Sequence, residues 1–379
     1  MVTLLLKEIF TGGFIMKKSA KIISVCLSIL LCVSLTACGG MAEDFHASVF
    51  YYTFSDTYVS GVRTELDNAL KKAGIAYQNY DAASNQTTQN EQIDTAISKG
   101  TDLLIVNIVT SGSNDATQTI LDKANAAGIP VIFFNRAIED DKSEGMILSK
   151  NDHIAYVGTD APEAGHLQGE MIGKYVKDHF DEMDLNKDGE ISYAMFMGQL
   201  GNTEAIYRTH YSVEDADKII TGAGYPKLRY FDASNTDKYQ ADQDGNWSAT
   251  AANNYMTTNL TQFNKENNNM IELVICNNDG MAEGVISALN DKGYNLGTKD
   301  SITIPVFGVD ATDAAKDLIK ANKMTGTVKQ DAKGMAEGIL HLATNAKDGK
   351  GLMENTGKFH ISEKFSNKMY IPYTGYTGE

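Results

Sequence analysis

Nine consecutive residues, Asp184-Leu185-Asn186-Lys187-Asp188-Gly189-Glu190-Ile191-Ser192, carry the spacing of a site for a hard cation. Oxygen-bearing side chains recur at the first, third and fifth positions. Gly189 supplies the turn at the sixth, Glu190 its backbone carbonyl at the seventh, and Ser192 falls at the ninth. These match the first nine positions of a twelve-residue calcium loop. The twelfth, normally a bidentate glutamate, is Met195, so a carboxylate must come from elsewhere. The spacing predicts calcium in a structural role, since nothing marks an open catalytic coordination position. The competing reading is a surface turn rich in Asp and Asn.

A second set of polar residues emerges only with the elements that must position them. Short apolar runs alternate with amphipathic helical stretches along almost the whole chain. Strands are predicted at 47–54, 75–82, 102–109, 129–135, 155–159, 191–198, 227–233, 271–277, 304–309 and 324–329. Helices are predicted at 59–72, 88–99, 115–127, 163–179, 203–220, 247–264, 280–292, 312–321 and 333–347. Such switching of period indicates α/β architecture, with doubly wound parallel sheets covered by helices on both faces. Gly74, Gly100, Gly128 and Gly293 stand where helices give way to strands, as C-capping glycines do. No floppy linker interrupts the pattern, so two packed lobes joined by several crossings are expected.

Ligands of open α/β sheets bind beyond the carboxyl ends of strands. The residues there are Asp56 and Tyr58, Asn107, Asn135-Arg136, Asn277-Asn278-Asp279, Asp310, and Gln330-Asp331. Neither a GxGxxG nor a GxxxxGK[ST] loop accompanies them, which argues against a nucleotide cofactor. Carboxylates and amides that accept and donate, together with Arg208 and the rings of Tyr58 and Trp247, suit a sugar. A pyranose offers hydroxyls that do both and flat C–H faces. Any one of these residues serves equally well as a cap for the helix that follows. Their recurrence at one edge of both sheets favours binding for the set.

Composition narrows the field. The chain of 379 residues carries a formal charge of −16; residues 1–37 hold four lysines and one glutamate, leaving −19 on the remainder. Nucleic-acid binding needs basic surface and is disfavoured. The first 37 residues read as a secretory signal peptide: Lys17, Lys18 and Lys21, then an apolar run from Ile22 to Leu35, closing on Leu35-Thr36-Ala37-Cys38. That ending is a lipobox and predicts diacylglycerol on Cys38. Met16 is the expected start, with 1–15 an upstream extension. The run is short for a span, which needs about 20 apolar residues. Cys26 and Cys32 leave with the peptide, so Cys276 remains as a small core residue with no disulfide partner. The histidines show no metal spacing.

Together these features resemble the bacterial periplasmic galactose/glucose-binding proteins of the type I periplasmic-binding superfamily. The stretches that carry the resemblance are NEQID (90–94), VIFFN (131–135), YVGTD (156–160), DLNKDGE (184–190), ICNNDGMAEG (275–284), IPVFGVDA (304–311) and GTVKQDA (326–332). The resemblance implies a monosaccharide, D-glucose or D-galactose, held between two lobes. Its polar contacts would be Asp56, Asn107, Arg208, Asn278 and Asp310, with Tyr58 and Trp247 sandwiching the ring. It also implies that Glu272 completes the calcium set of Asp184, Asn186, Asp188, Glu190 and Ser192. Departures fall at Asn202 and Glu204, where the family has histidine and aspartate, at Gln330, where it has asparagine, and at Tyr58, where it has phenylalanine. These changes leave ribose, xylose or a modified hexose open as ligands.

The implied organisation is a first lobe of 44–134 plus 332–371 and a second of 135–331 plus 372–379. Hinges are expected near 129–136, 330–333 and 370–374. The resemblance further implies a monomeric, lipid-anchored protein outside the cytoplasmic membrane that presents sugar to an ABC permease. A sensor subunit serving a kinase or chemoreceptor is the alternative. A glycosidase built on Asp56 and Asp310 is the enzymatic rival, and the amide-rich set speaks against it. A repressor of the same architecture would need a helix-turn-helix where the signal peptide stands.

Overall fold

In the computed structural model, residues 45–140, 143, 145–150 and 153–378 are described. Residues 1–44, which hold the expected signal peptide and Cys38, lie outside them. Among the described residues no helix is long and apolar enough to cross a membrane.

The chain runs β1 (His46–Tyr51), α1 (Thr57–Lys72), β2 (Ala76–Asp81), α2 (Gln86–Ser98), β3 (Leu103–Val106), α3 (Asn114–Ala127), β4 (Val131–Phe134) and β5 (Ile154–Gly158). It continues through α4 (Ala161–Met183), β6 (Ser192–Met197), α5 (Thr203–Gly222), β7 (Arg229–Tyr230), β8 (Gln240–Ala241), α6 (Ala249–Asn259), β9 (Leu273–Cys276) and α7 (Asp279–Asp291). The last elements are β10 (Val306–Asp310), α8 (Asp313–Lys320), β11 (Gly326–Gln330), α9 (Ala332–Lys347), β12 (His360–Ile361), β13 (Lys368–Tyr370) and β14 (Tyr373–Tyr376).

Two sheets result. The first has the order β12-β13-β5-β4-β3-β1-β2, the second β14-β11-β10-β9-β6-β7 with β8 also paired to β6. Every pairing is parallel except β12 with β13 and β11 with β14. The central strands Leu-Leu-Ile-Val of β3, Val-Ile-Phe-Phe of β4 and Leu-Val-Ile-Cys of β9 are buried throughout. Helices cover both faces of a parallel sheet, so its strands carry no polar side. Gly74, Gly100, Gly128 and Gly293 all adopt positive φ at helix ends.

The sheets place the lobe boundary differently from the sequence reading. β5 pairs with β4 and β13 in the first sheet, so the first crossing falls after Gly158, not after Phe134 or within 129–136. The expected boundary placed 135–158 in the second lobe; instead β5 is hydrogen-bonded in the first sheet between β4 and β13. The other crossings, between β11 and α9 and between β13 and β14, fall where expected. The predicted helix 247–264 starts only at Ala249, because Trp247 takes a φ of 55°.

One helix pair positions much of the second lobe. Gly165, Gly169 and Gly173 form a seam on α4 against α5. A Cβ on Gly169 would lie 2.6 Å from the Tyr211 carbonyl oxygen, and one on Gly165 would lie 2.5 Å from that of Tyr207. The backbones approach too closely for any side chain. This seam fixes the N-terminus of α5, where Asn202, Glu204 and Arg208 stand. Gly169→Val is therefore expected to cost about 1–3 kcal/mol by overpacking. Urea unfolding checks this; an unchanged midpoint would show that α4 and α5 can separate freely.

Candidate functional site

Between the sheets, at the carboxyl ends of their strands, lies a small cavity lined largely by buried side chains. From the first lobe it is lined by Tyr52, Asp56, Tyr58, Val59, Asn135 and Arg136. The second contributes Asn202, Glu204, Arg208, Trp247, Asn278, Asp310 and Gln330. Nine of the ten sugar-site residues named from the sequence are thus brought together. Asn107 is not. It is fully buried and its amide is engaged within the first lobe: Oδ1 accepts from the Tyr52 N–H at 3.3 Å, and Nδ2 donates to the Phe134 carbonyl at 3.2 Å and to Asn135 Oδ1 at 3.3 Å. Asn107 holds the backbone beneath two cavity residues and does not line the cavity itself.

Capping and lining prove compatible. Asp56 Oδ1 accepts from the Val59 N–H at 2.8 Å, Asn202 Oδ1 from Ala205 at 3.0 Å, and Asn278 Oδ1 from Met281 at 2.9 Å. Each therefore caps a helix with one atom while standing at the cavity wall. The helices α1, α5 and α7 all point their N-termini here, and their partial positive ends favour the nearby carboxylates.

Arg208 is the most connected group. Its Nη1 donates to the Asn277 carbonyl at 2.8 Å; its Nη2 donates to Gln330 Oε1 and Tyr373 Oη, both at 3.0 Å. Tyr373 Oη in turn donates to Thr159 Oγ1 at 3.0 Å. Burial opposes its charge, but Tyr373, Asp310 and Glu204 outweigh burial and hold the guanidinium more firmly protonated than usual. Asp310 sits at a φ of 127°, a strained conformation for a non-glycine residue. Burial pushes its carboxyl up, and Arg208 opposes that shift. Burial likewise raises Glu204, against the pull of Arg136, Arg208 and Lys368.

Ten buried side-chain polar atoms among the described residues have no hydrogen-bond partner. Five belong to this cavity: Tyr58 Oη, Arg136 Nε, Glu204 Oε2, Arg208 Nε and Gln330 Nε2. An unpaired buried polar group costs about 1–3 kcal/mol, so their convergence marks a site built for a polar ligand. Sequence reasoning left Tyr52, Arg136 and Gln199 out of the binding set. Tyr52 Oη donates to Asp56 Oδ2 at 2.6 Å and its ring lies 4.1 Å from the Arg136 guanidinium. Arg136 Nη2 reaches across the lobes to Gln199 Oε1 at 2.7 Å. Arg136 was visible among the strand-end residues; its reach to the other lobe was not.

The loop 184–192 folds as a tight turn closed by its own side chains. Asp184 accepts from the Asp188 and Gly189 N–H groups, and Gly189 has a φ of 82°. Glu272, just before β9, extends to the loop: Oε1 accepts from the Leu185 N–H at 2.8 Å and Oε2 from the Ser192 N–H at 2.9 Å. The Glu190 side chain turns outward to Arg229 at 2.7 Å. Among the described residues no three His, Cys, Asp or Glu side chains are arranged to cage an ion by themselves.

Two α/β lobes closing over a polar cavity at their strand ends define a solute-capturing protein. Residues 47–351 match the model of the periplasmic binding protein domain, and the chain belongs to that family. Its fold is the type I periplasmic-binding fold. The family comprises extracytoplasmic solute-binding proteins, which are not enzymes. The D-galactose/methyl-galactoside binding periplasmic protein of Haemophilus influenzae is 32% identical over 361 residues, covering 95% of this chain and 97% of its own. A putative rhizopine-binding protein of Rhizobium meliloti is 28% identical, covering 89% and 91%. A solute-binding protein of Bacillus halodurans solved with myo-inositol shares the fold at a TM-score of 0.65 and 24% identity, covering 89% of this chain and 96% of its own.

Behind Asp310 lies a second buried carboxyl. Asp279 accepts from Thr327 Oγ1 at 2.6 Å and from the Thr312 N–H at 2.8 Å. Burial pushes it up to about 7. A raised carboxyl pKa means the folded state binds the proton more tightly than the unfolded chain, where Asp titrates near about 3.9. That stabilisation is complete below about 4 and is lost as pH rises through about 7. Asp279→Asn should flatten this loss. Chemical denaturation of both proteins between pH 4 and 8 is the check; parallel profiles would refute it.

Proposed function

We propose that the cavity captures a free monosaccharide, D-glucose or D-galactose, and that its enclosure holds the lobes closed. The observation that carries this reading is the convergence of five unpartnered buried polar atoms on one space. Three nitrogen donors and a phenol stand there beside a carboxylate oxygen, as a polyol needs. The galactose-binding relative supports the choice of hexose. The cavity is narrow, about 40 Å³, so sugar enters as the lobes part and the walls settle around it. Closure by differential affinity follows. Asp56, Glu204 and Asp310 accept from hydroxyls; Arg208, Arg136, Asn278 and Gln330 donate; Tyr58 and Trp247 face the ring from opposite lobes. A lipid anchor at Cys38 would keep the protein at the outer face of the membrane, where an ABC permease reads the closed form.

Trp247 is the chain's sole tryptophan and lines the cavity. Titration with D-glucose or D-galactose should therefore change its fluorescence, with micromolar or tighter Kd by calorimetry. Asp310→Gly should abolish binding; it relieves a strained φ but strips the buried Arg208 of a compensating carboxylate, so thermal unfolding read beside calorimetry separates lost contact from lost fold. Response to ribose or xylose alone would replace the hexose assignment, and silence to all four would remove the sugar reading.

The loop 184–192 with Glu272 takes calcium in this reading. Asp184, Asn186, Asp188, the Glu190 carbonyl, Ser192 and Glu272 would hold it, and the ion would tie α4 to β6 and β9. Calcium at about 100 times its Kd adds about 2.7 kcal/mol, expected as a Tm about 5–10 °C above that in chelator. Equal Tm values with calcium and with EGTA would dismiss the ion.

A further inference from the structure

Beside the cavity lies a wider cleft of about 480 Å³, a size ordinary for small-molecule sites, which span about 300–1,000 Å³. Both lobes line it. The segment after β4 contributes Ala137 and Ile138, the first crossing Thr159 to Glu163, the start of α5 Thr203 and Tyr207, and β13 Lys368 and Tyr370. Only Glu204 lines both spaces. Neighbouring residues divide between them: Arg136 and Asn202 line the cavity, Ala137 and Thr203 the cleft. The partition is thus one residue thick, and its central side chain, Glu204, is 7% exposed with an unpartnered buried oxygen.

We propose that this cleft is a second subsite, and that it takes a further sugar ring joined to the one in the cavity. The proposal rests on the reading of the cavity as a sugar site and extends its ligand class from free monosaccharides to glycosides. The lining carries the chemistry a neutral ring needs. Tyr156, Tyr207 and Tyr370 line the cleft; Lys368 lies over the rings of Tyr156 and Tyr370 and Tyr211 stacks on Tyr207, so a sugar ring would pack on the faces and edges these neighbours leave. Thr159, Thr203 and Ser362 offer hydroxyls that donate and accept. Charges of both signs are present, with Asp160, Glu163 and Glu363 set against Lys364, Lys368 and His360, so no single ionic group is selected. Tyr156 is held in place by its Oη, which donates to the Asn135 carbonyl at 2.7 Å. That bond ties the cleft wall to a cavity residue. Glu204 then stands where the linkage between the rings would pass, with carboxylate lone pairs for a hydroxyl on either side.

The test is calorimetry on the full mature chain with D-glucose, D-galactose, lactose, melibiose, cellobiose and maltose. At least one disaccharide is expected to bind within tenfold of the better monosaccharide. Tyr207→Ala and Tyr370→Ala should each weaken that disaccharide tenfold or more while leaving the monosaccharide within twofold. Thermal unfolding of both variants separates loss of fold from loss of contact, and two positions guard against one failing to fold. Monosaccharide binding with no disaccharide binding overturns the subsite and spares the cavity. Equal weakening of both ligands by folded variants also overturns it. Binding of neither ligand class overturns the subsite and the sugar reading together.

Discussion

A single buried guanidinium ties together the three places where the chain passes between the lobes. Arg208 grips Gln330 at the end of β11 and Tyr373 at the start of β14, and through Tyr373 it reaches Thr159 at the end of β5. Those three residues stand at the three places where the chain passes between the lobes. Burying a charge this deeply is tolerated only when partners replace the lost water, and Asp310, Glu204 and Tyr373 do so. Its remaining nitrogen, Nε, is buried and has no hydrogen-bond partner, and Arg208 lines the cavity. Whatever occupies the cavity therefore acts on the same group that fastens the crossings.

The other wall residues follow a similar economy. At the cavity wall, Asp56, Asn202 and Asn278 each cap a helix with one oxygen, while the other polar atom meets Tyr52, Gln199 or the Trp247 carbonyl. A cap fixes its side chain at small entropic cost, because the backbone N–H group it binds is already rigid. The site is thus preorganised by the same bonds that start its helices. Direct side-chain bridges between the lobes, by contrast, are sparse. Arg136 meets Gln199 at 2.7 Å and Ser84 meets Asn246 at 3.1 Å. A ligand that pairs groups on both lobes adds to a weak interlobe balance and can tip it.

The sequence made the strand–helix alternation legible because parallel strands buried on both faces appear as unbroken apolar runs, as in β3, β4 and β9. It also exposed the polar strand ends, since capping residues and ligand residues share chemistry and position. Three kinds of feature stayed hidden. Strands β8, β12, β13 and β14, two to four residues long and outside the long apolar runs, show no period. β5 belongs to the first sheet, between β4 and β13, and no periodicity marks which sheet a strand joins, so the expected lobe boundary fell before it. Asn107 has the same type and strand-end placement as its neighbours, and only its hydrogen bonds reveal that it serves the scaffold. The glycine seam of α4 was written plainly at 165, 169 and 173, but its meaning needs the opposing helix.

The pairing of β5 with β13 has a further bearing, on the order in which the polypeptide acquires structure. Lys368 pairs with Tyr156 and Tyr370 with Gly158, so the first sheet lacks a strand until residues near the end of the chain are available. Helix α9, which packs against β3, β4 and β5, arrives equally late. The second sheet draws all but β14 from residues 192–330. During vectorial emergence from a ribosome or a translocation channel, the half encoded second can consolidate first. The half encoded first waits with β5 exposed along one edge. Long-range pairings of this kind slow folding and leave an open strand edge for wrong partners, so β5 is where a folding assistant would have most to protect.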